Sequence, residues 1–257
     1  MASTARSAAR LLGFLATCLG ALLDHLFYVR WQKTNPLKAR ACWTSRWGRR
    51  MARCVGVTVQ STGSFPSCGL LTCNHVSYMD IAVLASIHPQ IFLSKSEVRH
   101  WPLIGWLTLF AGTIYIDRSD KNEVTRVPLA FEPAIAQNLV VTLFPEGTSS
   151  DGTHVLPFYS SLLEPAVQNS WNVTPAWIEY TVEGGDARKD AAYWGSMTFL
   201  PHLIKLCGKK STHATVHFGT PIPPGLNRKE LARDLRNAVL SLGNRNGIKQ
   251  SHPQPIS

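Results

Sequence analysis

The chain has 257 residues, of which 45% are hydrophobic and 9% aromatic, enough for one sizeable folded domain and too apolar for an extended disordered protein. The net charge is +10, but residues 1–54 hold ten Lys or Arg and one acid, whereas the rest of the chain holds sixteen basic and fifteen acidic residues. The six cysteines have neither the spacing of a zinc site nor the density of a disulfide-stabilised secreted domain, so we expect no structural metal and no disulfides.

An apolar run lies inside the basic N-terminal segment. Residues 11–23 are apolar or small and the pattern resumes at residues 26–29, so we predict an anchor helix over residues 8–31. A full bilayer span needs about 20 apolar residues, and both a tilted span and an interfacial helix stay open at this stage. The apolar run favours an anionic membrane surface over nucleic acid as the partner of this basic segment, and the basic residues on both sides of the run argue against a buried core helix. We expect no signal-peptide cleavage, because no small-x-small site follows the run.

A second basic stretch follows Pro36. Residues 37–53 combine basic side chains with tryptophans, a composition typical of an amphipathic helix that lies on a bilayer. We therefore interpret residues 1–54 as basic, apolar membrane-anchoring helices.

The sequence periodicity changes after residue 54. Short β-rich runs alternate with helical stretches, which is typical of an α/β domain. We predict such a domain over residues 55–244, with a mixed, mainly parallel sheet and flanking helices, preceded by the N-terminal membrane-associated helical segment. A terminal helix is expected at residues 225–244 and a flexible tail at residues 245–257. The predicted strands are residues 55–60, 70–73, 90–93, 113–116, 139–144, 173–180 and 214–218.

The first candidate site is the sequence NHVSYMD at residues 74–80, between an apolar strand and a helical stretch. His75 and Asp80 do not share a face of a regular helix, but a turn at the start of the helix can bring a ring nitrogen to the carboxylate. Such a pair is a general base, because the carboxylate orients the imidazole and stabilises the imidazolium. The alternative is a helix cap, in which Ser77 and Asp80 satisfy backbone N–H groups and His75 takes no part.

The second candidate site is the sequence FPEGT at residues 144–148, just beyond another apolar strand, where α/β proteins usually place their sites. Two further blocks are GTIYIDR at residues 112–118 and VTPA at residues 173–176. With the NHxxxxD block at residues 74–80 these blocks occur in a known order. Over about residues 55–225 the chain resembles the 1-acylglycerol-3-phosphate acyltransferase family of glycerolipid acyltransferases.

The resemblance implies a mechanism without an acyl-enzyme. His75 would deprotonate the acceptor hydroxyl and Asp80 would orient the imidazole, so that the hydroxyl attacks the acyl thioester directly. The absence of a G-x-S-x-G sequence agrees with this expectation.

The resemblance also implies which residues bind the acceptor. Gly147 and Thr148 would contact it, together with Glu146, whose role stays open because a carboxylate repels phosphate. Arg118 suits an anionic head group through its guanidinium fork, although an ion pair with Asp117 or Asp120 is the alternative for this side chain.

The resemblance implies no cofactor and three partners: a lysolipid acceptor, an acyl donor and a membrane. The donor is acyl carrier protein or acyl-coenzyme A carrying the fatty acyl group, and the nearly neutral catalytic body does not choose between them. We expect the enzyme at the cytoplasmic face of the cell inner membrane, where lysolipid and donor meet.

Departures from the family pattern concern the acceptor. Many members that use lysophosphatidate carry Arg where this chain has Ser149, and a Lys where it has Tyr159. The sequence at residues 144–162 and a later one at residues 193–202 look more like the lyso-ornithine lipid O-acyltransferase branch, whose acceptor has no phosphate. A zwitterionic ornithine head group would suit Glu146 and Asp151. Lyso-ornithine lipid is therefore the predicted acceptor.

Three alternatives accompany this prediction: a lysophosphatidate acyltransferase that makes phosphatidic acid, a non-catalytic membrane-binding homologue, and a hydrolase that uses the same histidine on water. We interpret Trp194 and Phe199 as packing residues rather than as the lining of an acyl tunnel. His202 is interpreted as a packed or surface histidine rather than as a second base.

Overall fold

A computed structural model describes residues 2–29, 35–101, 103–117 and 129–245. Within them the chain forms one seven-stranded sheet. All seven predicted strands are confirmed, and their boundaries differ from the predictions by no more than two residues. The strands are β1 (Val57–Thr62), β2 (Gly69–Cys73), β3 (Gln90–Lys95), β4 (Ile114–Ile116), β5 (Val140–Leu143), β6 (Val173–Val182) and β7 (Thr212–Phe218).

The sheet has the strand order β1-β7-β6-β2-β5-β3-β4. From β6 to β4 neighbouring strands are parallel, and β1 is parallel to β7, whereas β6 and β7 are antiparallel. The predicted mixed, mainly parallel sheet is confirmed. Every residue of the central strands β2 and β5 is buried, as expected of parallel strands covered by helices on both faces.

Helices cover both faces of the sheet and form an apolar core on each. The described helices are α1 (Ala2–Asp24), followed directly by a π-helical turn at His25–Val29, α2 (Pro36–Cys54), α3 (Met79–Ile87), α4 (Ile104–Phe110), α5 (residues 129–135), α6 (Glu164–Asn169), α7 (Ala187–Asp190), α8 (Phe199–Gly208) and α9 (Arg228–Arg245).

The first helix begins six residues before the predicted position, at Ala2, and it packs along the domain. Its inner face buries Phe14, Cys18 and Ala21, whereas leucines on its outer face are exposed. By length and composition alone, Ser3–Phe27 is a helix that could cross a membrane, with a mean hydropathy of 1.4.

The second helix starts as the sequence predicts. Pro36 occupies the first turn, where its missing N–H is not needed, and the Asn35 side chain accepts a hydrogen bond from the Lys38 N–H. One side of α2 packs against α3, and Gly48 allows the close approach, since a Cβ there would lie 3.0 Å from both the Ala82 carbonyl oxygen and the Ala85 Cβ. Both N-terminal helices therefore contact the α/β body.

The terminal helix α9 confirms the prediction for residues 225–244 and packs against β6, where Gly243 meets the Trp177 ring. The tail predicted at residues 245–257 lies outside the described residues, apart from the last residue of α9.

Candidate active site

Asn74 fixes the start of the loop that carries His75. Its side-chain amide donates to the Ile178 carbonyl at 2.9 Å and accepts from the Ile178 N–H at 2.7 Å, so it pairs with β6 as a further strand residue would. Asn74 is buried. The loop after β2 is therefore tied to the neighbouring strand one residue before His75.

His75 and Asp80 are in contact, with Nδ1 of the imidazole 2.7 Å from Oδ2 of the carboxylate. An ionised carboxylate only accepts hydrogen bonds, so Nδ1 carries the proton. The same oxygen accepts from the N–H groups of Val76 at 2.7 Å and Ser77 at 3.0 Å. Asp80 is completely buried in the first turn of α3. Asp80 thus accepts from backbone N–H groups, as the cap alternative expected, but it also pairs with His75, which that alternative left out. The N-cap residue of α3 is Tyr78, and its side chain forms no capping hydrogen bond.

Tyr180 contacts the other oxygen of Asp80, and no feature of the sequence pointed to it. Its hydroxyl donates to Oδ1 at 2.6 Å. Burial, together with the negative charge of Asp80, holds the pKa of Tyr180 well above its usual value, so the phenol stays protonated and acts as a donor. In the sequence Tyr180 belongs to a run of mainly apolar residues predicted as a strand, and nothing distinguishes it from its neighbours as a site residue.

The imidazole of His75 stacks on the Phe144 ring, with centroids 4.2 Å apart and planes 22° from parallel. The His75 side chain is 20% exposed. Because Asp80 engages Nδ1, the nitrogen left for chemistry is Nε2.

Glu146 forms hydrogen bonds to the loop that carries His75. Its carboxylate accepts from the His75 N–H and from the Leu156 N–H, each at 2.7 Å. Burial raises the pKa of Glu146 from 4.5 to about 7, although the two backbone hydrogen bonds oppose the shift. The acceptor contact expected of Glu146 stays a prediction, since the contacts described in the structure are to backbone groups.

The residues after Glu146 turn back towards His75. Gly147 has φ of +75°, a conformation that favours glycine. Gly147 and Thr148 line the cavity that His75 also lines, so the structure brings them together with the histidine. Their contact with an acceptor stays a prediction.

Asp151 is already paired inside the protein. One oxygen lies 2.7 Å from an Arg188 guanidinium nitrogen, and the other accepts from Thr153. Burial alone would raise the pKa of Asp151, but these hydrogen bonds and the charges of Arg188 and His154 lower it. The zwitterionic head group expected at Asp151 would have to compete with Arg188.

The predictions for Arg118 and for its alternative partner Asp120 lie outside the described residues.

An apolar cavity of about 400 Å³ extends from His75 between the N-terminal helices, α3 and α4. Trp194 and Phe199 are among its lining residues, and Phe199 also packs against the core and the Tyr78 ring. The interpretation of these two as packing residues rather than as the lining of an acyl tunnel stays a prediction. His202 is buried beside it and its Nδ1 lies 3.1 Å from the Tyr78 hydroxyl, which confirms a packed histidine. Other lining residues include Ala21, Trp43, Met51, Phe92, Ile104 and Leu107.

Within the described part of the chain, no group of three or more His, Cys, Asp or Glu side chains is arranged to hold a metal ion.

Comparison with known proteins adds a family match. The model of the acyltransferase family matches residues 56–179. The chain is 35% identical to the lyso-ornithine lipid O-acyltransferase of Pseudomonas aeruginosa over 237 residues, 90% of each chain. It is 30% identical to that of Brucella abortus over 80% of this chain and 85% of the relative. Similarity to the 1-acyl-sn-glycerol-3-phosphate acyltransferase of Neisseria gonorrhoeae is 29% identity over 55% of this chain and 56% of the relative.

Among solved structures, the 1-acyl-sn-glycerophosphate acyltransferase of Thermotoga maritima is similar, with a TM-score of 0.68 over 96% of this chain and 100% of that one. At 19% sequence identity this similarity concerns the fold. The family resemblance inferred from the four sequence blocks is confirmed by the sequence matches.

Proposed function

This chain belongs to the acyltransferase family, and from that premise we propose that it is a membrane-bound enzyme that moves a fatty acyl chain from a thioester donor to the hydroxyl group of a lysolipid. The observation that carries the proposal is the buried His75–Asp80 pair at one end of an apolar cavity. A base for a hydroxyl group and a compartment for an alkyl chain are the two requirements of O-acyl transfer.

In the proposed reaction, Nε2 of His75 takes the proton of the acceptor hydroxyl as the hydroxyl oxygen attacks the thioester carbonyl carbon. The tetrahedral intermediate then loses the thiolate, which receives the proton back from the imidazolium. The products are an ester and a free thiol. Asp80 stabilises the imidazolium and holds the tautomer with the proton on Nδ1. No cofactor takes part in this scheme.

The cavity suits the alkyl chain of the donor or of the acceptor. Its lining is mainly apolar, and one of the helices that line it, α1, also has an apolar outer surface. Burying an alkyl chain there would release about 0.8 kcal/mol per methylene. The thioester carbon would then come to rest near His75.

We propose lyso-ornithine lipid as the acceptor. Support comes from the relatives that bear this name and align over most of the chain, and from Ser149 and Tyr159, which stand where phosphate-using members carry cations. The Ser149 hydroxyl donates to the Tyr193 carbonyl and thus fastens the cavity wall. Lysophosphatidate is the second candidate, because the exposed cation Lys95 lines the cavity and would suit a phosphate.

Membrane association is supported by an exposed apolar face on α1 and α8. Both helices carry exposed apolar side chains, and α1 is joined to α8 by hydrogen bonds from Ser7 to the Ile204 carbonyl and from Arg6 to the Gly208 carbonyl. Because one side of α1 contacts the body over its whole length, we propose that α1 lies in one leaflet rather than crossing it. The exposed residues are Leu12, Leu15, Leu19 and Leu23 on α1, and Leu200 and Ile204 on α8.

A cationic cavity at the junction of the N-terminal helices and the sheet supports the anionic surface proposed as partner. It has a volume of about 720 Å³, and its described lining residues include four cations and no Asp or Glu. Arg10 donates to carbonyl groups at the end of α8, and Arg49 to the Ser86 carbonyl at the end of α3. These partners hold the guanidinium groups without neutralising them. The other two cations are Arg53 and Lys210, of which Lys210 is already ion-paired with Glu183.

Residues 1–54 are thus proposed as the membrane-binding part and residues 55–244 as the catalytic domain, with residues 245–257 as a flexible tail. We propose the cytoplasmic face of the inner membrane as the site of action, since acyl carrier protein and acyl-coenzyme A are the proposed donors.

A transfer assay tests the proposal. Membranes that contain the protein receive labelled acyl donor, as acyl carrier protein or coenzyme A thioester, with either lyso-ornithine lipid or lysophosphatidate. We expect transfer to lyso-ornithine lipid, a loss of at least a hundredfold in His75→Ala, and full activity in the matched control His213→Ala, which removes an exposed histidine of β7.

The outcomes separate the alternatives. Transfer to lysophosphatidate alone would keep the base and overturn the acceptor. Fatty acid release without acceptor would indicate a hydrolase. A wild-type protein without any transfer, or a His75→Ala variant with full activity, would contradict the proposed function and favour a membrane-binding homologue.

A further inference from the structure

The buried carboxylate of Asp80 depends on neutral donors. Within the described residues, its ion-pair partner is His75, and the remaining donors are two backbone N–H groups and the Tyr180 hydroxyl. Three of these four donors point to Oδ2. The hydroxyl of Tyr180 is the donor found at Oδ1 among the described residues.

The position of Tyr180 follows from the sheet. Strand β2 ends at Cys73, opposite Ala176, whereas β6 continues to Val182 beside the loop that follows β2. Alternate residues of β6 face the same side, so Tyr180 shares the core-facing side with Ala176 and Ile178. Because β6 is longer than β2, it places the Tyr180 side chain next to Asp80.

We propose that Tyr180 is a positioning residue that sets how strongly Asp80 favours the protonated form of His75, and hence the pH range of activity. The inference rests on the proposed role of His75 as the base. By donating to Oδ1, the phenol draws negative charge away from Oδ2, the oxygen that faces the imidazole. A carboxylate relieved of part of its charge stabilises the imidazolium less, so the free base persists to lower pH.

The alternative is that Tyr180 only fills space in the core. It is 7% exposed and belongs to the apolar cluster beneath α3. Tyr180→Phe keeps the ring and removes the hydroxyl, so it separates packing from hydrogen bonding. A space-filling residue would tolerate this change without any effect on the pH dependence of catalysis.

The experiment measures kcat and KM of Tyr180→Phe from pH 5 to pH 9 in the membrane assay. We expect kcat on the acidic limb to fall about threefold, because His75 stays protonated to higher pH in this variant, with kcat on the plateau and KM for acceptor and donor unchanged. Glu146 bonds to the His75 N–H and has a pKa of about 7, but it is common to wild type and variant. Relative to wild type, the acidic limb of the kcat/KM profile should therefore move to higher pH by about half a unit or more. The control Thr142→Val removes a buried hydroxyl that donates to Gln90, and its profile should not move.

Two further measurements extend the test, and the first of them keeps it decisive if Tyr180→Phe folds poorly. Replacing Tyr180 by difluorotyrosine keeps the shape and strengthens the donor, so the acidic limb should move to lower pH. In Asp80→Asn, adding Tyr180→Phe should cause no further loss, because the two residues act as one unit.

A profile that moves in neither Tyr180 variant, or losses that multiply in the double variant, would overturn the inference. That result together with an inactive His75→Ala variant leaves the proposed function intact. Full activity of His75→Ala would instead contradict the proposed function itself.

Discussion

Glu146 is a buried carboxylate that forms no ion pair within the described part of the chain. It is 3% exposed, and it accepts two backbone hydrogen bonds, of which one comes from His75. Burying a charge this way opposes folding. We expect Glu146 to serve catalysis by holding the loop that carries His75, the proposed base.

The stability of the protein should therefore depend on pH through Glu146. Its pKa is raised from 4.5 to about 7, so between these values the unfolded chain has released a proton that the folded state still holds. Stability from this group is complete below pH 4.5 and is lost as pH rises towards about 7. Relative to Glu146→Gln, the unfolding free energy of the wild type should fall by up to about 3 kcal/mol across this window.

Denaturant unfolding of both proteins at pH 4.5, 6 and 7.5 measures this difference. Parallel pH dependences would show that the carboxyl group titrates normally. Activity supplies a second readout. The Gln side chain has one acceptor oxygen where Glu has two, so Glu146→Gln loses one of the two hydrogen bonds to backbone N–H groups. We expect its kcat to fall about tenfold.

The sequence predicted part of this site. His75 and Asp80 lie in one short segment, so their contact needs a local turn alone, and the structure contains that contact. Tyr180 and the anchor at Asn74 depend on the register between β6 and β2, which links residues about a hundred positions apart. No pattern in a single sequence reports that register.

At the scale of elements, close helix contacts decide how the N-terminal helices attach to the body. Gly48 of α2 meets α3 with no room for a side chain, whereas a Cβ at Gly13 of α1 would lie 3.8 Å from the nearest atom, Cys54 Cβ. Both glycines lie inside helices, where alanine would otherwise be favoured by up to about 1 kcal/mol. The two positions form a matched pair.

We expect opposite effects from the two substitutions. Gly48→Leu should destabilise the protein by about 1–3 kcal/mol, because α2 must move away from α3. Gly13→Ala should be neutral or stabilise it by up to about 1 kcal/mol. Thermal unfolding in detergent measures both, and equal losses in the two variants would contradict the described packing.

Seven strands could be predicted because each is a short apolar run between breakers, a property of the local sequence. The antiparallel insertion of β7 between β1 and β6 could not, because strand order depends on which apolar faces meet in space. The contact of α2 with α3 was likewise not predicted, since the basic residues and tryptophans of α2 indicate a membrane surface equally well.

At the scale of the whole molecule, the exposed apolar face and the cavity share the same helices. Phe14 and Ala21 of α1 line the cavity, and Leu15 and Leu19 lie on the outer side of the same helix, 56% and 59% exposed. Water contact with these leucines is unfavourable, and insertion into a leaflet removes it. A lipid could then reach the cavity without crossing water.

The double variant Leu15→Lys/Leu19→Lys tests this arrangement without touching the cavity wall. Loss of two exposed leucines that are proposed to enter the leaflet should reduce binding to vesicles of phosphatidylethanolamine and phosphatidylglycerol at least tenfold, while transfer between detergent-soluble substrates persists. Leu226→Lys is the matched control: Leu226 is 99% exposed and precedes α9, which packs on the opposite face of the sheet from α1.

Salt separates the two contributions to binding. Cosedimentation with vesicles is measured at 0.05 M and 0.5 M salt. Attraction to an anionic surface is screened within about 10 Å at 0.1 M salt, so the cations should account for the binding that is lost at high salt. Both lysine variants should keep this salt-dependent binding. The leucines account for binding that survives high salt. If the double variant binds as tightly as Leu226→Lys at high salt, then α1 does not enter the leaflet, and membrane attachment would have to come from the charged surface alone.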